Sequence, residues 1–344
     1  MSAHPPASSD GRSLPLEGIA DELLSDRADD DRLSAAAAGL YSLCSSITGI
    51  GDDTTGADDA DGTRLPGGEA IAPRDAARCV LDPRRTSRFL RGLHAAVLQA
   101  RTRFPDVPTE ILYAGCGPFA PLALPLTTRF SPAEIRFTLL DVHSRSLDAA
   151  RRLFHALGRS AYVRDYVRCD AASYVVDAAH PTHVVVVEAM LAALEREPQV
   201  AITMNLAPQL CPGGILVPER ITVGCCLCGV AGDPSAATAG GGARIHLGRV
   251  LELTAAGCRD ATASDNAGAH IAKARVEVPA ELDGEFDVML LTGITVFDSI
   301  ALDEGESGLT TPRILFDLGR MRGGEVLEFE YRCGDRPGFR CRSL

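Results

Sequence analysis

Apolar positions in the middle of the chain change repeatedly between the short runs typical of strands and the spacing typical of helices. We predict strands over residues 110–114, 136–141, 162–169, 183–187 and 214–223, and helices over residues 87–101, 122–130, 147–157 and 192–210. Strands that alternate with helices pair in parallel, because each helix carries the chain back across the sheet. This part of the chain is therefore expected to form a doubly wound, Rossmann-like α/β sheet.

The pattern changes after residue 218, where helical spacing becomes rare. Strand-like segments separated by glycine, proline and acidic turns occupy residues 221–230, 246–253, 274–278, 288–297, 313–318 and 326–333. Consecutive strands joined by short turns favour antiparallel pairing. We expect a second, mainly antiparallel domain that resembles a β-barrel.

The N-terminal region is polar and acidic over residues 1–33, which predicts a mobile leader. Ser34 is a candidate N-cap for a short helix that follows it, and the segment 51–62, nearly without apolar residues, predicts a loop. The expected organisation has three parts. They are an acidic, partly disordered extension at 1–62, a Rossmann-like domain at 63–217 and a β-rich substrate and dimerisation domain at 218–344.

The 344 residues carry a formal net charge of -12, so the chain lacks the basic character by which proteins bind nucleic acid or anionic membranes. Its longest apolar runs are far shorter than the roughly 20 residues of a membrane-spanning helix. Eleven cysteines without a regular framework favour reduced thiols, and we expect a cytoplasmic protein. Cys225, Cys226 and Cys228 lie within an alternating apolar run, so we interpret them as core residues and expect no metal site.

Candidate ligand-binding residues follow the first three predicted strands. Gly115, Cys116 and Gly117 come directly after the first, where glycines let the backbone approach a ligand at the carboxyl edge of a sheet. Asp141 ends the second strand, where a carboxylate can accept hydrogen bonds from both ribose hydroxyls, and Asp170 follows the third. This arrangement resembles the class I methyltransferases that use S-adenosylmethionine (SAM). The resemblance implies SAM as cofactor, with these five residues around it.

Three further motifs resemble the protein arginine methyltransferase family. Residues 82–89 read DPRRTSRF, close to the family pattern Asp-x-x-Arg-Thr-x-x-Tyr, and the resemblance implies that Arg85 binds the carboxylate of the cofactor. Glu188 and Glu197 stand nine residues apart after the fourth strand, like the two glutamates of the family, with Glu195 as a competitor for the second position. Residues 211–220 read CPGGILVPER and resemble the family's segment at the entry to its β-barrel.

The two glutamates define the expected chemistry. A pair of carboxylates can bind both edges of a guanidinium and orient one nitrogen toward a methyl donor. The resemblance therefore implies that Glu188 and Glu197 are catalytic residues of a SAM-dependent N-methyltransferase that acts on a guanidinium.

The chain departs from the family pattern in residues that would contact the acceptor, the molecule that receives the methyl group. The family carries Thr-His-Trp beside its substrate, whereas this chain has no tryptophan and the nearest segment, 309–313, reads LTTPR. An acceptor pocket without these family residues favours a small-molecule substrate. Free L-arginine is the first choice, because the paired glutamates remain. Bacterial relatives of the family methylate free arginine in specialised metabolism, so a biosynthetic role is expected. Arg313 is a candidate for binding the carboxylate of such an amino acid.

Other functions remain open at this stage. The chain is alternatively a protein arginine methyltransferase, a methyltransferase of another metabolite, or a non-catalytic SAM-binding subunit. Members of the family commonly dimerise, so a homodimer is expected, with its arm at residues 231–243 or in the helix at 34–50. His143, His183 and His246 lie near strand ends, and we interpret them as structural residues.

Overall fold

The fold begins with two helices where the sequence analysis expected a leader and one short helix. The computed structural model describes residues 15–51, 61–229, 244–263, 270–282 and 285–344. Helix α1 spans Leu16–Leu24 and helix α2 spans Asp30–Thr48. Residues 1–14 of the predicted leader and most of the predicted loop at 51–62 lie outside the described residues.

Helix α1 forms because its apolar residues share one face. Leu16, Ile19 and Leu23 recur at helical spacing and are buried in the main hydrophobic core. The expectation of a mobile leader is therefore wrong for residues 15–33. The N-cap of α2 is Asp29 rather than Ser34, because the Asp29 carboxylate accepts a hydrogen bond of 2.9 Å from the backbone N–H of Arg32.

The central sheet has five parallel strands in the order β5-β4-β3-β6-β7, and the expected doubly wound α/β architecture is confirmed. The order reverses at β3, so a crevice opens beyond the carboxyl ends of β3 and β6. The strands are β3 (Thr109–Ala114), β4 (Ile135–Asp141), β5 (Val163–Arg168), β6 (Val184–Val187) and β7 (Ile215–Val217). The helices are α4 (Pro83–Arg103), α5 (Ser144–Ala156) and α6 (Gln199–Leu206). A hairpin of β1 (Thr63–Leu65) and β2 (Gly68–Ala70), and helix α3 (Pro73–Arg78), precede them.

Two predicted helices differ from the structure. The segment predicted as a helix over 122–130 contains only the 3₁₀ turn Pro125–Thr128, because Pro125 has no N–H to donate to an α-helical hydrogen bond. The helix predicted over 192–210 is interrupted. A 3₁₀ turn at Ala192–Leu194 is followed by an irregular loop, and α6 begins only after Pro198.

The remaining strands form two antiparallel sheets, which confirms the expected β-rich second half. The first sheet contains β8 (Arg220–Gly229), β9 (Arg244–Thr254), β11 (Phe286–Phe297), β12 (Ile300–Leu302) and β13 (Arg313–Ile314). The second contains β10 (His270–Glu277), β14 (Val326–Arg332) and β15 (Gly338–Ser343), while helix α7 spans Ala255–Ala263.

The details of this half differ from the prediction, and helix α7 is one element that was not predicted. The strand predicted over 313–318 is only two residues long, and a 3₁₀ turn follows it. Strands β12 and β15 were not predicted, because the first is very short and the second is half polar. Cys225, Cys226 and Cys228 are buried in β8, as expected for core residues. None of the helices in the described ranges has the length and apolar character needed to span a bilayer.

Because helix α2 is packed into the core, truncating one of its buried side chains should destabilise the protein. Leu40→Ala should lower the free energy of unfolding by about 2–5 kcal/mol, because Leu40 is fully buried and its truncation leaves a cavity. Leu98→Ala is the matched control, since Leu98 on α4 is 47% exposed and its change should stay within about 0.5 kcal/mol. Urea denaturation measures both. Equally small effects would mean that α2 is not part of the cooperative core.

Candidate functional site

One cavity lies at the crevice where the strand order of the parallel sheet reverses. The space between its walls is about 760 Å³, including the solvent-open mouth. All eight residues predicted for the site line it: Arg85, Gly115, Cys116, Gly117, Asp141, Asp170, Glu188 and Glu197. The structure thus brings together residues that lie more than 100 positions apart in the chain.

The glycine loop forms one wall of the cavity. Gly115 and Gly117 have φ angles of +72° and +61°, a left-handed conformation that favours glycine. A Cβ at Gly117 would lie 3.4 Å from the Cβ of Ala76 on α3, so the loop passes close to the element above it. The loop therefore offers backbone rather than side chains to a ligand.

Asp141 lies at the end of β4, and both oxygens of its carboxylate accept hydrogen bonds from backbone N–H groups. One accepts a hydrogen bond of 2.9 Å from the backbone N–H of Gly117, and the other accepts one of 2.8 Å from that of His143. The side chain of His143 lies 3.3 Å from the same carboxylate and 3.1 Å from the hydroxyl of Thr63 on β1. Asp170 also lines the cavity, and its carboxylate caps the turn at Ala172.

Arg85 and Glu188 form a buried ion pair across the cavity. The Nε of Arg85 donates to Glu188, and the two side chains are only 14% and 8% exposed. Arg85 lies in the first turn of α4, which is capped by the carboxylate of Asp82. The other oxygen of Asp82 accepts hydrogen bonds from the Ser307 hydroxyl at 2.7 Å and from the backbone N–H of Gly308 at 3.1 Å. The β-rich half of the molecule thus supports the helix end that carries Arg85.

Glu197 is the second carboxylate of the cavity, and Glu195 is not. Glu197 is buried and lines the cavity, whereas Glu195 lies outside it and pairs with Arg313 at 3.3 Å. Both residues belong to the irregular loop before α6 rather than to a helix face.

The loop from Glu188 to Pro198 is held from both halves of the molecule. The buried side chain of Gln199 accepts from the backbone N–H of Ala189 at 2.9 Å and donates to the carbonyl of Val187 at 3.1 Å. From the β-rich half, Thr292 accepts from the N–H of Ala193 at 2.7 Å, and the Tyr331 hydroxyl donates to the Leu194 carbonyl at 2.7 Å. These supporting residues were missed, because no local pattern marks a side chain that acts on a distant loop.

Burial changes the acidity of Glu197. Loss of solvation raises its pKa from 4.5 to about 7, although Arg85 opposes the rise and Glu188 adds to it. Since the pKa is higher in the folded state, this group contributes stability that is fully present below about pH 4.5 and is lost as the pH rises through about 7. Burial therefore favours the neutral form of the Glu197 carboxyl more than solvent does.

His183 and His246, which lie near strand ends, are not part of the cavity wall. His183 accepts a hydrogen bond of 2.9 Å on its Nδ1 from the backbone N–H of Glu110, which is a structural contact. His246 is exposed on β9, and the predicted dimer arm at 231–243 lies outside the described residues. In the part of the chain that the structure describes, no group of three or more acidic, histidine or cysteine side chains is arranged to hold a metal ion.

Comparisons with known proteins bear on the fold. No protein-family model and no curated protein sequence matches the chain. Among solved structures, a chain of the Trypanosoma brucei PRMT1 enzyme–prozyme heterotetrameric complex with AdoHcy is similar, with a TM-score of 0.50 and 13% identity. The similarity covers 78% of this chain and 96% of that one. The combination of a parallel α/β sheet with an antiparallel β-rich half is thus a known fold.

Proposed function

We propose that this protein is a SAM-dependent N-methyltransferase that transfers a methyl group to the guanidinium of free L-arginine or a close small-molecule analogue. The observation that carries the proposal is the meeting of Arg85, Glu188 and Glu197 in one cavity beside the glycine loop. The similar solved structure is a complex of PRMT1 with AdoHcy, the product form of SAM, which supports the same class of cofactor.

The residues of the cavity fit this cofactor. The backbone of Gly115–Gly117 leaves space where side chains would otherwise stand, and Asp141 supplies a carboxylate for the ribose hydroxyls. The Nε edge of Arg85 is used by Glu188, so its terminal nitrogens would bind the cofactor carboxylate. Asp170 lies at the end of the next strand, where the adenine would be bound.

The two glutamates would bind and orient the acceptor. SAM, when bound, supplies a methyl group on a sulfonium. A guanidinium has a pKa above about 12 and arrives protonated, so Glu188 and Glu197 attract it and hold its charge on the nitrogens that they contact. This orientation leaves one nitrogen free to attack, and positioning supplies most of the rate. The guanidinium loses one proton in the transfer, to a carboxylate or to water.

The acidity of Glu197 gives the reaction an expected pH dependence. We expect kcat/KM for the acceptor to rise with pH through an apparent pKa near 7, because Glu197 binds the cation only when ionised. Glu69 is one of the groups that raise this pKa, so Glu69→Gln should move the rise to lower pH. Initial rates across neutral pH measure the shift. Glu328→Gln is the control, since its carboxylate pairs with Arg275 and Arg342 on the outer sheet. An identical profile in Glu69→Gln would contradict the assignment.

The first experiment uses the purified protein with SAM and free L-arginine, followed by mass spectrometry of the small-molecule fraction. A product heavier by one CH₂ supports the proposal. Absence of product, with AdoHcy binding demonstrated by calorimetry in the same sample, would overturn L-arginine as acceptor.

A protein arginine methyltransferase is the second candidate, and the similarity to a PRMT1 complex favours it. Methylation of an arginine-rich peptide, but not of the amino acid, would support this candidate. The complex named there also contains a prozyme, so a non-catalytic subunit is a further alternative, supported by tight AdoHcy binding without transfer to any guanidine compound. The homodimer stays a prediction, which light scattering of the purified protein tests.

A further inference from the structure

Arg196, the residue before Glu197, has an unusual backbone conformation. Its φ angle is +64°, and the N–H of Glu197 donates to the carbonyl of Glu195 at 2.7 Å, which closes a three-residue γ-turn. A non-glycine residue is rarely stable in this conformation unless its surroundings hold it there. The turn sends Glu195 toward Arg313 and Glu197 into the cavity.

Two different elements hold this turn. From the β-rich half, the carbonyl of Pro337 accepts a hydrogen bond of 3.0 Å from the N–H of Arg196. From the β1–β2 hairpin, the N–H of Glu69 donates to the Arg196 carbonyl at 2.7 Å, and the Glu69 carboxylate lies 3.2 Å from the Arg196 guanidinium. The hairpin and the segment around Pro337 thus together hold the strained conformation of Arg196.

The hairpin approaches the turn so closely that only glycine fits at its tip. A Cβ at Gly68 would lie 2.7 Å from the carbonyl oxygen of Arg196 and 2.8 Å from backbone atoms of Glu197 and Pro198. Backbone atoms cannot move aside as the end of a flexible side chain can. A side chain at position 68 would therefore displace either the hairpin or the backbone around Glu197.

The same hairpin covers the cofactor end of the cavity. Leu65 and Ala70 line the cavity, together with Ile71, which follows directly. Thr63 at the start of β1 contacts His143, whose backbone N–H holds Asp141. One short element therefore touches both the ribose-binding end and the turn that carries Glu197.

We propose that the β1–β2 hairpin is a positioning element that couples the cofactor site to the acceptor site. Cofactor bound beneath the hairpin stabilises it, and the hairpin in turn holds the Arg196 turn. The turn then orients Glu197 for the guanidinium. The proposal rests on the proposed function. It implies that bound cofactor tightens acceptor binding and that bound acceptor tightens cofactor binding by the same factor, since coupling between two sites is reciprocal.

The test compares Gly68→Ala with Gly248→Ala. Gly248 on β9 has a similar φ of +135°, but a Cβ there has only ordinary contact, at 3.9 Å from Val276. Calorimetry measures the dissociation constant of L-arginine with and without AdoHcy. We expect AdoHcy to tighten L-arginine binding about tenfold in the wild type and in Gly248→Ala. In Gly68→Ala the ratio should fall close to one. A wild-type ratio in folded Gly68→Ala would overturn the proposal.

A second readout needs no acceptor and separates this proposal from the choice of L-arginine. Carbon-13 NMR of the glutamate carboxyls, with Glu197 assigned by the signal lost in Glu197→Gln, follows the titration of Glu197. Its neighbours are Arg85, Glu188, Arg196 and Glu69, and burial raises its pKa to about 7. Gly68→Ala should move the titration toward the ordinary value of a glutamate, while Gly248→Ala should not. An unchanged titration in Gly68→Ala would overturn the proposal even if another acceptor is found.

A further variant protects the test against misfolding. If circular dichroism shows that Gly68→Ala is unfolded, Arg196→Gly decides, because glycine adopts the observed φ without strain. This variant removes the bias toward the turn, the contact with Glu69 and one positive charge near Glu197. We expect Arg196→Gly to reduce the AdoHcy effect on L-arginine binding at least threefold, with AdoHcy affinity retained. An undiminished effect would contradict the role of the turn.

Discussion

Glu197→Gln is expected to lower kcat for methyl transfer by about a thousandfold while AdoHcy still binds. The substitution keeps the size of the side chain but removes the negative charge that, under the proposed function, attracts and orients the guanidinium. The loss should therefore fall on the reaction rather than on cofactor binding. Burial of Glu197 sharpens the effect, since charge interactions are stronger away from water. Steady-state kinetics with saturating SAM and AdoHcy calorimetry measure the two quantities.

Glu195→Gln is the matched control for this result. It lies two positions away on the same loop, but its carboxylate pairs with the half-exposed Arg313 outside the cavity. Its kcat should stay within about threefold of the wild type, because exposed ion pairs contribute little. Comparable activity of both variants would remove Glu197 from the reaction and, with it, the guanidinium as acceptor.

Arg85→Ala is expected to weaken AdoHcy binding at least a hundredfold and to lower the free energy of unfolding by about 3–5 kcal/mol. The first effect comes from the lost partner for the cofactor carboxylate. The second arises because Glu188, only 8% exposed, would remain buried without its cation. Calorimetry measures the binding, and urea denaturation measures the stability.

Arg84→Ala is the matched control, because it shows whether these effects come merely from the loss of one positive charge. Arg84 pairs with Asp30 and Glu306 and is 38% exposed, so Arg84→Ala should leave AdoHcy binding unchanged and alter stability by no more than about 1 kcal/mol. An unaltered AdoHcy dissociation constant in Arg85→Ala would exclude Arg85 from the cofactor site.

The sequence predicts the parallel sheet well, because the buried strands are short apolar runs with clear helical spacing between them. Val184–Val187 and Ile135–Asp141 are examples, and their carboxyl ends bring Glu188 and Asp141 to one edge of the sheet. The predicted site residues meet in one cavity for this reason. Their roles in binding and reaction are still predictions.

Features that depend on distant contacts were not predictable in the same way. The loop before α6 looks helical by composition, but Thr292, Tyr331 and Pro337 from the β-rich half hold it in an irregular path. Helix α1 was missed because the acidic character of the leader obscured a narrow apolar face. Which of Glu195 and Glu197 lines the cavity likewise depends on the path of the backbone.

Asp82 accepts hydrogen bonds from both halves of the molecule, and this limits how the molecule can be divided into domains. One oxygen caps the helix that carries Arg85, while the other binds Ser307 and Gly308 from the β-rich half. A Rossmann-like fragment separated from that half would lose these two donors at the helix end that carries Arg85. The two halves are therefore not interchangeable modules. Grafting a different acceptor domain onto residues 63–217 would succeed only if the graft supplied an equivalent pair of donors to Asp82.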